Sequence, residues 1–285
     1  MPHSSPRLVR LDSRHLGRPM HLWCHGWWGM PVLVVPSASG MAHEWELGGA
    51  IEALRPWIDG GAIKLYCVET NVSWSFLGSG TLPVRYARHL RWRRFVDDEL
   101  LPFIDADMQT PGARMVVAGA SFGALLALNL ALQNPDRFAH ALCLSGRFEL
   151  GPMLVDQGDG APRWHSDAHR QSVLAEVADT MPSRTAALQA AWFDQPMAYV
   201  PGLSDYSVIV RDTGAVFLGG PPLVKAATGE VVSVNDLGGA NMHTQISGTC
   251  DYAADTEEEA IAIGRDIVSQ WDMPKKWADP AGEVE

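Results

Sequence analysis

An α/β fold, with a mainly parallel sheet and helices on both faces, is what this sequence predicts, and three observations predict it. Short apolar, β-branched runs (PVLVV from Pro31 to Val35, AIKLYCV from Ala62 to Val68, RMVVA from Arg114 to Ala118) alternate with stretches at helical spacing. That alternation is the pattern of a parallel sheet, whose neighbouring strands are joined by crossover helices. The run Arg114 to Ala118 leads into Gly119-Ala120-Ser121-Phe122-Gly123 and then into an apolar stretch ending at Gln133, the order strand, tight turn, helix that makes a nucleophile elbow. Finally, 285 residues of which 47% are hydrophobic and 19% charged suffice for one sizeable core or two modest ones.

Taken in order, the strand Pro31 to Val35 ends in the small-residue loop Pro36-Ser37-Ala38-Ser39-Gly40, a buried strand and its turn. Glu44 to Trp57 has helical spacing, and Gly60-Gly61 stops it before the strand Ala62 to Val68. Leu82-Pro83 opens a long helical stretch from Tyr86 to about Ile104. Its Arg88, Arg91, Arg93 and Arg94 could suggest a phosphate-binding patch, but at this spacing beside Asp97, Asp98 and Glu99 they read as a solvated face. The helix Phe122 to Gln133 is apolar nearly all round and belongs in the middle of the sheet. Asn134-Pro135-Asp136 stops it, and Ala139 to Leu144 is the next strand. Beyond Gly151 the texture loosens, with helices expected at Asp167 to Val177 and Arg184 to Trp192. It changes again after Met197, with short strands at Val208 to Arg211 and Ala215 to Leu218 and a helix at Leu223 to Thr228. A last, amphipathic helix runs from Thr256 to about Trp271, and its Thr256-Glu257-Glu258-Glu259 start is that of a capping box.

The formal charge of −11 is uneven: residues 1 to 150 hold 14 Lys and Arg against 13 Asp and Glu, whereas residues 151 to 285 hold 8 against 20. The acidic part argues against a nucleic-acid partner, since phosphate binding needs a basic footprint. Cys24, Cys67, Cys143 and Cys250 stand far apart with no C-x-x-C pair, which points to buried free thiols in a reducing, cytoplasmic setting and to no metal site. Met1 to Arg14 is polar and basic without the apolar core of a secretory signal. No apolar run approaches the roughly 20 residues that span a bilayer, so no membrane role is expected.

A G-x-S-x-G elbow lifts the serine Oγ above the sheet edge and aims a helix N-terminus at it. The Phe122 amide would then donate to an oxyanion, with a second donor from the loop Ser37 to Gly40, taken as the Ser39 amide. The serine needs a histidine base and an orienting carboxylate. After Ser121 the histidines are His140, His165, His169 and His243. His140 falls too early, and His243 is the one late enough, with Asp205 or, preferably, Asp212 as orienter. A His243 satisfied by backbone hydrogen bonds is the competing reading.

The stretch from about Leu16 to Leu150 resembles an α/β-hydrolase esterase family related to the esterase D group. The resemblance rests on Gly17-Arg18-Pro19-Met20, PVLVVPSASG, His43-Glu44-Trp45-Glu46, IKLYCVET, Glu99-Leu100-Leu101-Pro102 and VVAGASFGALLALNLALQNPDRFAHALCLSG, and it could extend to Asp205 through Pro196-Met197-Ala198-Tyr199-Val200-Pro201-Gly202-Leu203. It implies carboxyl-ester or thioester hydrolysis at Ser121 without a cofactor. The family's C-terminal histidine segment, similar to His-Asp-Trp-Pro, is missing. From about Ala198 to Trp271 the chain resembles instead the crotonase-like carboxyltransferase subunit of biotin-dependent acyl-CoA carboxylases, on the run AYVPGLSDYSVIVRDTGAVFLGG through GGANMHTQISGTCDYAADTEEEAIAIGRDIV. This second resemblance implies an acyl-CoA and carboxybiotin as substrates, bound near Gly219, Gly220, Gly238 and Gly239. The glycine-rich stretch that such proteins carry just before this segment is replaced by Trp192 to Met197. The sequence therefore reads as a chimera: an esterase-like core over residues 1 to 150, a connector or cap over 151 to 197, a carboxyltransferase-like segment over 198 to 271 and a tail over 272 to 285.

Overall fold

The computed structural model describes residues 5 to 146, 148, 154, 164 to 192, 205 to 217 and 220 to 270. The chain forms two compact units, Met1–Gln195 with Met273–Glu285, and Pro196–Asp272.

The first unit is built on a six-stranded sheet in the order β1-β2-β4-β3-β5-β6. Strands β1 (Arg7–Ser13) and β2 (Arg18–His25) form a hairpin, and β2 also runs antiparallel to β4 (Ile63–Val68). From there on the sheet is parallel, β4 to β3 (Met30–Val35), β3 to β5 (Met115–Ala120) and β5 to β6 (Phe138–Leu144). All six residues of β3 are buried, as are five of six in β4 and in β5, as expected of central strands covered on both faces. The β1-β2 hairpin was not foreseen, because its Arg, His and Asp residues hide the apolar positions that face inward.

Three short helices, α1 (Glu44–Leu47), α2 (Ala50–Ala53) and α3 (Arg55–Asp59), take the place of the single helix expected over 44 to 57. Gly48 and a left-handed Gly49 break the first turn, and Pro56 starts the third piece, because glycine and proline interrupt helical hydrogen bonding. Helix α4 (Leu82–Phe95) continues through a π-helical turn, Val96–Leu100, into α5 (Leu101–Asp107). Its arginines do not form the solvated face that their spacing suggested. Arg85, Arg88 and Arg91 are buried, and only Arg94 is exposed. Helix α6 (Phe122–Gln133) has the predicted bounds and buries eight residues, among them Leu125, Leu126 and Asn129. Helices α7 (Asp167–Thr180) and α8 (Arg184–Trp192) complete this unit.

The second unit pairs β7 (Val208–Val210) in parallel with β8 (Tyr252–Ala254) and carries α9 (Pro221–Thr228), α10 (Val234–Gly238) and α11 (Glu257–Ser269). Of the run Ala215 to Leu218, whose last residue lies outside the described residues, the described part forms one bridge, Ala215 to Gly239. Thr256 caps α11 by accepting from the Glu259 amide, and the Glu259 carboxylate accepts from the Asp255 amide, 2.6 Å away. The Thr256 half is the capped start that the sequence predicted, while the Glu259 carboxylate reaches one residue beyond the N-cap amide of a capping box. A small core gathers Ile209, Ala240 and Cys250. All four cysteines are free thiols, three of them buried. Among the described residues no helix is long and apolar enough to cross a membrane, and no His, Cys, Asp and Glu group could hold a metal ion.

Candidate active site

Ser121 stands between β5 and α6 with φ 53° and ψ −116°. That conformation lies outside the regions L-residues ordinarily occupy, and strained backbone of this kind concentrates at functional sites. The turn is held by the Ser121 amide, which donates to the Leu144 carbonyl on β6 at 2.9 Å. The side chain is exposed, and among the described residues its Oγ has no hydrogen-bond partner.

The flanking glycines are required by packing. A Cβ on Gly119 would lie 2.1 Å from the Gly123 carbonyl oxygen, and one on Gly123 would lie 2.4 Å from the carbonyl oxygens of both Val35 and Pro36. The second contact also locates the loop after β3. Val35 pairs with Gly119, so the Ser37 to Gly40 loop and the elbow leave the sheet side by side at its C-terminal edge.

That loop is tied down by Glu44, the first residue of α1. Its carboxylate accepts from the Ser37 amide at 3.1 Å, from Ser37 Oγ at 2.9 Å and from Ser39 Oγ. The Ser39 amide, expected to be the second oxyanion donor, instead donates to Ser37 Oγ at 3.3 Å. A donor already bonded within its own loop is poorly placed to meet a developing charge. The Ala38 amide has no partner among the described residues. The Phe122 amide is the first of α6 and so lacks an intrahelical acceptor. Glu44 was singled out in the sequence only as the start of a helix, and its hold on the Ser37 to Gly40 loop depends on how that loop folds back onto α1.

The expected base and orienter do not meet. His243, in the second unit, bonds through Nε2 to the Val216 carbonyl at 2.6 Å and through Nδ1 to Thr249 Oγ1 at 2.7 Å and Ser247 Oγ at 3.2 Å. A nitrogen facing a carbonyl must carry the proton, so the remaining lone pair on Nδ1 is taken by the hydroxyls. Asp212 accepts from Asn235 Nδ2 at 2.9 Å and makes no bond to His243. His140, in β6, pairs with Val116 of β5, five residues before Ser121, which places it about 16 Å down the sheet. His165 and His169 stack in a separate cleft of the first unit, with ring centroids 5.6 Å apart.

In the second unit, Gly238 and Gly239 are also explained by packing. A Cβ on Gly238 would lie 2.1 Å from the Val216 carbonyl oxygen, and one on Gly239 would lie 2.8 Å from Asn235. Gly220 caps α9, and Gly219 lies outside the described residues.

Residues 84–189 match the family model described as "Putative esterase", and residues 197–283 match the model of the carboxyl transferase domain. The chain resembles two families in series. Over the second stretch it is 52% identical along 84 residues to the biotin-dependent 3-methylcrotonyl-coenzyme A carboxylase beta1 subunit of Mycobacterium tuberculosis, an alignment covering 27% of this chain and 16% of that one. It is 54% identical along 79 residues to the mitochondrial methylcrotonoyl-CoA carboxylase beta chain of Arabidopsis thaliana, covering 28% and 14%. The chain thus spans about one sixth of the length of the curated relatives it matches. In fold it is similar to the structure of MPT51 from Mycobacterium tuberculosis, with a TM-score of 0.51 and 16% identity, covering 93% of this chain and 98% of that one. The α/β-hydrolase fold, the esterase-like stretch and the chimeric order are therefore in place.

Proposed function

We propose that the first unit is an acyl-ester hydrolase whose nucleophile is Ser121, and that its turnover is slow because the expected base and orienter, His243 and Asp212, are engaged with other partners rather than with each other. The observation that carries the reading is the backbone of Ser121, a non-glycine residue at φ 53° and ψ −116° with an exposed hydroxyl at a strand-to-helix junction. In the reaction Oγ attacks the ester carbonyl and its proton passes to solvent. The tetrahedral oxyanion accepts from the Phe122 amide and, in place of Ser39, from the Ala38 amide. Collapse expels the alcohol and leaves an acyl-serine, which water then hydrolyses. Without a triad base the rate loss is about 10⁶-fold, with a residual advantage of about 10³ over water from the oxyanion donors and binding. Burst kinetics with p-nitrophenyl butyrate test this: a burst approaching one equivalent followed by slow turnover supports it, and no burst in folded protein removes it.

A second reading is favoured by the high identity of residues 197 to 283 to carboxyltransferases: the second unit binds an acyl-CoA near Gly220, Gly238 and Gly239. The Val216 carbonyl fills the place a Cβ on Gly238 would take, so packing alone accounts for that glycine and it adds no support to this reading. Calorimetric titration with propionyl-CoA decides it, since heat saturating at millimolar ligand or below supports it and its absence removes it.

A further inference from the structure

Ester hydrolysis at Ser121 needs a second oxyanion donor besides the Phe122 amide, and the loop after β3 offers five amides, Ser37 to Met41. Four of them are engaged. The Ser37 amide donates to the Glu44 carboxylate at 3.1 Å, the Ser39 amide to Ser37 Oγ at 3.3 Å, the Gly40 amide to the Ser37 carbonyl at 3.1 Å and the Met41 amide to Ser39 Oγ at 3.2 Å. Among the described residues the Ala38 amide is the one of the five without an acceptor. An N–H left unbonded in an otherwise bonded loop is ready to meet a charge that develops beside it.

This pattern traces back to one carboxylate. Glu44, half-buried at the start of α1, accepts from Ser37 Oγ at 2.9 Å and from Ser39 Oγ as well as from the Ser37 amide. A hydroxyl has a single proton to donate. With that proton committed to Glu44, each serine oxygen is left to accept, Ser37 Oγ from the Ser39 amide and Ser39 Oγ from the Met41 amide. Three of the four engaged amides therefore depend on Glu44, directly or through a serine, and hydrogen bonds to a charged acceptor are the stronger ones. The far end of the loop is fixed separately. The Thr70 amide donates to the Gly40 carbonyl at 3.0 Å, and Gly40 stands at φ 72°, where a Cβ would lie 3.2 Å from both Thr70 Oγ1 and Val72 Cγ1. Ala38 lies between these two anchors.

We infer that Glu44 is a positioning residue for the oxyanion hole: by orienting the Ser37 and Ser39 hydroxyls it occupies the neighbouring amides and leaves that of Ala38 as the second donor. The inference rests on Ser121 as the nucleophile. A carboxylate also repels a developing oxyanion, so the order it imposes on the loop must outweigh that repulsion.

Burst kinetics of the full chain with p-nitrophenyl butyrate and with its thiono analogue, in which sulfur replaces the carbonyl oxygen, test this. Sulfur is a weak hydrogen-bond acceptor, so the donors favour the oxygen ester. In Glu44→Ala the burst rate constant with the oxygen ester is expected to fall about 100-fold, as for loss of one oxyanion donor, with the half-saturating ester concentration unchanged. The thiono ester should slow far less, so the oxygen-to-sulfur ratio drops. Glu44→Gln keeps one acceptor oxygen and should lose about tenfold. A residue that only supports the fold would slow both esters alike. An unchanged oxygen-to-sulfur ratio in Glu44→Ala, or a faster burst in Glu44→Gln, overturns the role of Glu44 and leaves Ser121 as the nucleophile. Should Glu44→Ala fail to unfold cooperatively, the ratio in Glu44→Gln decides. No burst from the wild-type chain with either ester removes the hydrolase reading itself, and the role of Glu44 falls with it.

Discussion

Gly123→Ala probes the elbow where its geometry is tightest. The added methyl would lie 2.4 Å from the carbonyl oxygens of Val35 and Pro36, and ordinary contact begins at 3.4 Å, so both carbonyls must retreat by 1.0 Å. They have little freedom to do so, because β3 is hydrogen-bonded on both sides and fully buried. Overpacking against main chain costs about 3 kcal/mol, and the better helix propensity of alanine returns about 1 kcal/mol. A net loss of about 2 kcal/mol is expected, or a melting temperature about 4–8 °C lower. Gly264→Ala is the control: it sits in α11 with nothing within 4 Å of an added Cβ, and should stabilise by up to about 1 kcal/mol. Guanidinium unfolding followed by circular dichroism measures both. A Gly123→Ala midpoint within about 0.5 kcal/mol of wild type would refute the packing of the elbow against β3.

Other consequences can be measured on the same protein. Ser121→Gly should be about 1 kcal/mol more stable than Ser121→Ala, because glycine relieves the positive φ that alanine keeps; equal stability would show an unstrained elbow. Asp107 accepts from Lys64 at 2.7 Å, from Tyr66 at 2.8 Å and from Arg7. Burial alone would raise its pKa, yet these bonds hold it below the usual carboxylate value. Asp107→Asn should therefore cost about 3 kcal/mol at pH 7. The difference should shrink as pH falls below about 4, through the depressed folded value, and a pH-independent cost would contradict this. His169 is held down at about 4, so the unfolded chain binds more protons between about pH 4 and 6.5 and stability should rise with pH across that window. His169→Gln should flatten that slope in acid unfolding curves, and an unchanged slope would place the titration elsewhere.

The parallel core was legible because its strands are β-branched runs and its elbow has fixed glycines, and α6 has the bounds its apolar stretch gave. The β1-β2 hairpin was not, since alternating charged residues on its outer face mask the period of two. Arg88 and Arg91 misled for a related reason: a guanidinium on a helix reads as solvated until the elements that bury it are known. The strand-to-helix turn at Ser121 and the helix start at Phe122 follow from local sequence. The Ser39 amide was misassigned because its bond to Ser37 depends on how Glu44 ties the loop. His243 fits the expected order along the chain, but order carries no information on hydrogen bonding, and both its nitrogens are already engaged in the second unit.

The central claim is that the strained serine at the end of β5 is a nucleophile. Reaction of the purified full chain with a fluorophosphonate probe, read by mass spectrometry of the intact protein and its peptides, tests it most directly. A single covalent adduct on Ser121, slow to form and absent from Ser121→Ala, is the predicted result. An unmodified Ser121 in protein that unfolds cooperatively, or an adduct on another residue, would contradict it.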